Sequence, residues 1–202
     1  MNVHEYFCTT LCETAIYDPF PNGIVLLFSY HTKLIKFAGN LKETKLYKII
    51  QASGKEHINE VKTLFLEYAN WLGFSFCFLG FDEELASLPG KYAQPEGRLY
   101  LAKSNNIFAG CIGLRKIADG ICEMKRLYVK PEARGLGIGK KLVELVISDA
   151  KNIGYKKMRL DTLAEKMKEA QKLYKSSGFY EIEAYYNNPI EGVVYMELDL
   201  TK

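Results

Sequence analysis

From residue 46 onward the apolar positions fall into two rhythms. A weak alternation over 46–52 suggests a strand. Ile58, Val61, Leu64, Phe65, Tyr68, Ala69 and Leu72 then recur at three- and four-residue spacing, which predicts an amphipathic helix. Ser53 and Glu56 form a capping box in front of it. A short helix over 82–88 is stopped by Pro89-Gly90. Period-two stretches follow at 98–103, 107–116 and 121–129, with turn signals at Asn105-Asn106 and Asp119-Gly120. A helix over 140–153 buries Leu142, Leu145, Val146, Ala150 and Ile153, and Gly154 closes it. A strand over 156–162, a helix over 166–176 ended by Gly178, and strands over 180–185 and 193–200 complete the chain. The order β-α-α-β-β-β-α-β-α-β-β predicts an α/β sandwich around a mixed sheet.

The first 46 residues lack this regularity and read as an N-terminal extension, loosely ordered or packed on a domain spanning 47–202. His4, Cys8 and Cys12 would share a helix face there, which raises a metal site. The fourth ligand is missing and helix propensity is poor, so scattered residues explain them better and no metal is expected. The start has no basic n-region, and the apolar run at 24–28 is too short to span a bilayer.

Composition narrows the class. With 48% hydrophobic and 25% charged residues the chain is globular, and 202 residues suit one main core. A formal net charge of +3 is too balanced to argue for a nucleic-acid partner. Five cysteines with no C-x-x-C spacing point to a reducing, cytoplasmic compartment, with Cys111 and Cys122 as small core residues.

The richest chemistry lies at 134–141, Arg-Gly-Leu-Gly-Ile-Gly-Lys-Lys, between a predicted strand and a predicted helix. Unpaired N–H groups and the positive end of the macrodipole make such a junction an anion site. A P-loop fails on spacing: Gly135 and Gly139 are one residue too close, and Lys141 replaces the magnesium-binding Ser or Thr. A dinucleotide fingerprint fails at Lys140. Arg134, Gly137 and Gly139 satisfy a third pattern, R/Q-x-x-G-x-G/A.

That pattern resembles the acyl-CoA pyrophosphate loop of the GNAT superfamily of N-acyltransferases, in a small bacterial-type form. Ala170, Leu173, Tyr174, Gly178 and Phe179 match the family's A-x-x-L-Y-x-x-x-G-F, and the element order agrees over 47–200. The resemblance implies a mainly antiparallel sheet of six to seven strands, helices on both faces, and two splayed central strands. It implies acetyl-CoA as cosubstrate, with Leu127, Tyr128 and Val129 contacting the pantetheine through backbone. The diphosphate would rest on the N–H groups of Leu136, Gly137, Ile138, Gly139, Lys140 and Lys141, with Arg134 and Gly135 also in the cofactor loop. At least one of the Lys140 and Lys141 side chains fits a solvated helix face, since only the backbone cradle is required. Tyr174 matches the acid that protonates the leaving thiolate. Glu123 matches the general base of some members, or forms a salt bridge with Lys125. One departure is Met167, where many relatives carry Asn.

The resemblance implies acetyl transfer to a primary amine by direct attack, since His4, His31 and His57 lie outside the carried motifs. A non-catalytic acyl-CoA-binding module is the alternative. Trp71, Tyr185 and Tyr186 suit an acceptor pocket, and Asp82, Glu83 and Glu84 could attract a cation. Phe74, Phe76, Phe78 and Phe81 fit core filling or an aromatic wall. The acceptor is open between small molecules and peptide or protein termini, no membrane contact is expected, and homodimerisation is left open.

Overall fold

The computed structural model describes residues 15–17, 25–27, 47–73 and 80–202. The chain divides into two units, Met1–Lys45 and Leu46–Lys202. In the first, β1 (Ala15–Tyr17) pairs antiparallel with β2 (Val25–Leu27). His4, Cys8 and Cys12 lie outside the described residues, as do Phe74, Phe76 and Phe78.

The second unit runs β3 (Tyr47–Gln51), α1 (Gly54–Leu72), α2 (Phe81–Ser87), β4 (Arg98–Ser104), β5 (Ile107–Ala118), β6 (Ile121–Val129), α3 (Ile138–Ile153), β7 (Lys157–Leu163), α4 (Lys168–Ser176), β8 (Tyr180–Ile182) and β9 (Val193–Asp199). This is the predicted order. The seven strands form one open sheet in the order β3-β4-β5-β6-β7-β9-β8, antiparallel except at β6–β7.

Strand alternation gives the sheet a core on each face. Leu99, Leu101 and Cys111 pack with Val61, Leu64 and Phe65 of α1. Tyr100, Ala102, Ile112 and Leu114 pack with Leu142, Val143 and Val146 of α3 and Tyr174 of α4. Cys111 and Cys122 are fully buried, as expected.

The capping box does not form. Ser53 makes no side-chain cap, and its N–H instead donates to Nδ1 of His57 at 3.2 Å, which removes the donor Glu56 would have used. Strand β8 stops at Ile182, three residues early, because it pairs only with β9 and the chain then turns Tyr185 back toward Glu123.

The centre of the sheet splays. β6 and β7 pair for three positions, ending at Glu123↔Arg159, although both strands continue. The cause lies on the other edge of β6. Cys111 pairs with Tyr128 and Gly113 with Lys125, so β6 carries one extra residue at that point. Arg126 sits in this bulge with φ +59°. A bulge bends its strand and increases the local twist, which turns the end of β6 away from β7.

Candidate active site

A left-handed arginine is unfavourable by about 1–2 kcal/mol, so the surroundings must hold it. Arg126 is buried and meets Glu84 of α2 through two contacts, Nε to Oε1 at 3.0 Å and Nη2 to Oε2 at 2.7 Å. Tyr92 donates to the same carboxylate at 2.7 Å, and the guanidinium lies 4.8 Å from the Phe81 ring. Glu84 is therefore committed to the fold rather than free to attract a cationic acceptor.

Three cavities meet along the splay. The first, about 670 Å³, lies over the glycine-rich loop, lined by Leu127, Tyr128, Val129, Arg134, Gly137 and Gly139 among others. The second opens between the splayed strands and shares Tyr68, Leu127 and Met167 with the first. The third, about 420 Å³, holds Glu84, Arg115, Glu123, Arg159, Tyr185 and Tyr186, and shares Lys125 and Arg126 with the second. The shared residues make these cavities neighbours in a row through the sheet.

The loop has the shape an anion needs. Gly135 and Gly137 have φ of +79° and +77°, and a Cβ on either would meet nothing within 4 Å. Helix α3 begins at Ile138, two residues earlier than predicted, and its first internal bond runs from the N–H of Lys141 to Gly137 O at 3.1 Å. The N–H groups of Ile138, Gly139 and Lys140 precede that bond and have no helical acceptor. They fit the diphosphate of a CoA. Lys141 does not join them: its N–H is engaged and its side chain pairs with Glu144 at 3.1 Å. The Lys140 side chain is mostly exposed.

Arg134 donates from Nε to Val129 O at 3.1 Å, and its guanidinium stacks 5.2 Å from the Trp71 ring. Trp71 thus lines the loop-side cavity, apart from Tyr185 and Tyr186 in the third. Met167 spans the first two cavities, its sulfur accepting from Tyr68 at 3.8 Å and Thr162 at 3.5 Å.

Tyr174 lines the middle cavity. Among the described residues its hydroxyl has no hydrogen-bond partner; since no side-chain oxygen is both buried and unsatisfied among them, it opens on the cavity. Burial, with Tyr68 and Asp161 nearby, pushes its pKa well above the ordinary value. Even at ordinary values, transfer from a phenol (~10) to a thiolate (~8.5) is uphill by about 2 kcal/mol. The side chain is better suited to donating a hydrogen bond than to releasing its proton outright.

Glu123 is 1% exposed and held on both oxygens. Arg115 reaches Oε2 from Nε at 2.7 Å and Nη2 at 2.6 Å, while Tyr185 donates to Oε1 at 2.7 Å. The expected partner, Lys125, stands 4.0 Å away and pairs instead with Asp161 at 2.6 Å. Asp161 was not anticipated from the sequence. Burial raises its pKa, but Lys125 and the Tyr186 hydroxyl outweigh that and leave it below the usual carboxylate range.

A charged row crosses five strands here: Arg115, Glu123, Arg159, Glu197 and Tyr180 are successive register partners. Arg115 and Arg159 were also missed. The available signal was charge alternating with apolar residues in two central strands, Glu123 and Lys125 in β6, Arg159 and Asp161 in β7.

Comparison with known proteins agrees with this geometry. The family model for the acetyltransferase (GNAT) family matches residues 63–179. An uncharacterised N-acetyltransferase of Schizosaccharomyces pombe is 42% identical, covering 73% of this chain and 91% of its own. One from Dictyostelium discoideum is 37% identical, covering 76% and 98%. A crystal structure of a GNAT-family acetyltransferase from Staphylococcus aureus superposes with a TM-score of 0.64 at 23% identity, over 76% of this chain and 99% of that one, a likeness of fold. A family match over more than half of the chain, joined to relatives this similar, places the protein in the GNAT family of acetyltransferases, which use acetyl-CoA and act on amine acceptors.

Proposed function

We propose that the protein is an acetyl-CoA-dependent N-acetyltransferase that moves the acetyl group onto a primary amine by direct attack. The observation that carries this is the Tyr174 hydroxyl, without a hydrogen-bond partner among the described residues and set in the cavity between the glycine-rich loop and the charged chamber.

The diphosphate binds at the free N–H groups of Ile138 to Lys140, and the pantetheine arm adds to the open edge of β6 at Leu127–Val129, as an extra strand would. A backbone N–H of that segment stabilises the oxyanion formed when the amine attacks. The amine, with an ordinary pKa near ~10.4, must lose a proton to attack. Glu123 takes it through Tyr185, whose hydroxyl already donates to the carboxylate. Tyr174 hydrogen-bonds the sulfur as the C–S bond breaks and keeps its own proton, while the second proton lost by the nitrogen neutralises the departing thiolate.

The test is thiol release from acetyl-CoA across primary amines, amino acids, polyamines and peptides, with Tyr174→Phe alongside. The expected result is turnover with one acceptor class, lowered about 10²-fold in the variant with acetyl-CoA affinity nearly unchanged. Equal turnover in the variant would remove Tyr174 from the chemistry. Binding of acetyl-CoA without turnover of any amine would replace the enzyme reading with the non-catalytic one.

A further inference from the structure

The third cavity is lined by four cationic side chains, Arg115, Lys125, Arg126 and Arg159, and two carboxylates, Glu84 and Glu123. Paired charges make the chamber look neutral, but the groups are not equally presented. The Glu123 and Glu84 side chains are 2% and 12% exposed, against 24% for Arg115 and 23% for Arg159. The carboxylates are turned into the protein and two guanidiniums face the opening.

Arg126 is held by Glu84 and Lys125 by Asp161, at 2.7 Å and 2.6 Å. Arg159 is differently placed. Only its Nε is engaged, with Oε2 of Glu197 at 2.8 Å, and its two amino groups hold no hydrogen bond among the described residues. The guanidinium carbon lies over the Tyr185 ring, 5.3 Å from its centroid, so the ring and Glu197 hold the side chain between them. A fixed guanidinium with its amino groups free is a fork for a planar oxyanion.

We infer that Arg159, with Arg115 beside it, binds a carboxylate carried by the acceptor, so that the acceptor is an amino acid or similar amino-carboxylate rather than a simple amine or polyamine. This inference rests on the acetyltransferase reading and narrows its substrate. With the carboxylate at Arg159, the amine of such a molecule reaches the side where the chamber borders the cavity that holds Tyr174, and there the cations Lys125 and Arg126 are already neutralised by Asp161 and Glu84. A polyamine would bring a second cation against two exposed guanidiniums, a repulsion in a poorly solvated site.

Arg159 is also the cleaner residue to remove. Without it Glu197 keeps Lys157 at 2.9 Å and Tyr180 at 2.7 Å, so no buried carboxylate is orphaned. Removing Arg115 would leave Glu123 with Tyr185 and a lysine 4.0 Å away.

The experiment compares matched trios: an amino acid, its carboxamide and its decarboxylated amine, by thiol release from acetyl-CoA, in the wild type and Arg159→Met. The expected kcat/KM for the acid exceeds both analogues by about tenfold or more, and Arg159→Met removes that preference without changing acetyl-CoA affinity. Amines or amides used as well as the acids would overturn the inference while leaving the acetyltransferase reading intact. If nothing is turned over, that reading falls, and calorimetric titration of the CoA-bound protein with N-acetyl amino acids against N-acetyl amines decides the rest. Selective binding of the acids, lost in Arg159→Met, supports the anionic subsite; equal or absent binding overturns it.

Discussion

Arg126 concentrates the demands of this site in one side chain. Its backbone is left-handed, its guanidinium is buried, and Glu84 neutralises it from 42 residues away in sequence. Removing one partner of such a pair leaves the other charge buried, so Glu84→Gln should destabilise the protein by roughly 3 kcal/mol in urea titrations. Acid should act on the same pair. Burial raises the Glu84 pKa, but the hydrogen bond and charge of Arg126, with the Tyr92 hydroxyl, prevail and lower it. A carboxylate depressed on folding contributes stability that is whole above its unfolded pKa, near ~4.3, and lost as pH falls through the folded value. The wild type should lose stability below about pH 4, with a shallower acid limb in Glu84→Gln. Identical acid limbs would show that the pair is not where the pH dependence arises. None of this was legible in the sequence, where Glu84 read as one of three adjacent acidic residues able to attract a cation. Partnerships across 42 residues depend on the register of a bulge that no local pattern announces.

Among the elements, legibility followed periodicity. Helix α1 and the three central strands declare themselves because their apolar positions repeat, and both faces of the sheet bury what they repeat. The failures came where local chemistry competed: His57 displaced Glu56 at the start of α1, and β8 gave up its last residues when Tyr185 turned to Glu123. The resemblance carried the splay; residue pattern alone would have paired β6 and β7 to their ends. The glycine-rich turn offers a test at this scale. Gly137 caps α3 with a left-handed backbone, so Gly137→Ala should cost about 1–2 kcal/mol and weaken acetyl-CoA binding by turning the N–H groups off target. Gly139 lies inside the helix, and a Cβ there would make ordinary contacts with Leu173 and Val129, both at 3.8 Å. Gly139→Ala should therefore gain about 0.5 kcal/mol and keep its affinity. Chemical denaturation and calorimetric titration of both variants give the comparison. If Gly137→Ala proves as benign as Gly139→Ala, the turn's conformation is not what aims the amides.

At the scale of the whole unit, the three cavities assign its parts. One face of β6 and β7 carries the apolar residues that anchor α3, Cys122, Met124, Met158 and Leu160. The residues between them, Glu123, Lys125, Arg159 and Asp161, build the charged chamber and its junction with the splay. Folding and chemistry thus share the same two strands on alternate residues, and this explains why their apolar content was readable while their function was not. The unmade seam between those strands has a further consequence. In most sheets the central strands hold the slowest-exchanging amides. Here the amides of β6 and β7 that face each other beyond Glu123 and Arg159 should take up deuterium like loop amides. Those bonded to β5 and β9 should stay protected. Hydrogen-exchange mass spectrometry, or exchange followed by NMR, would reveal protection that changes from residue to residue along one strand. Adding CoA should slow the inward-facing amides alone. Uniform protection without ligand would mean that the seam closes in solution.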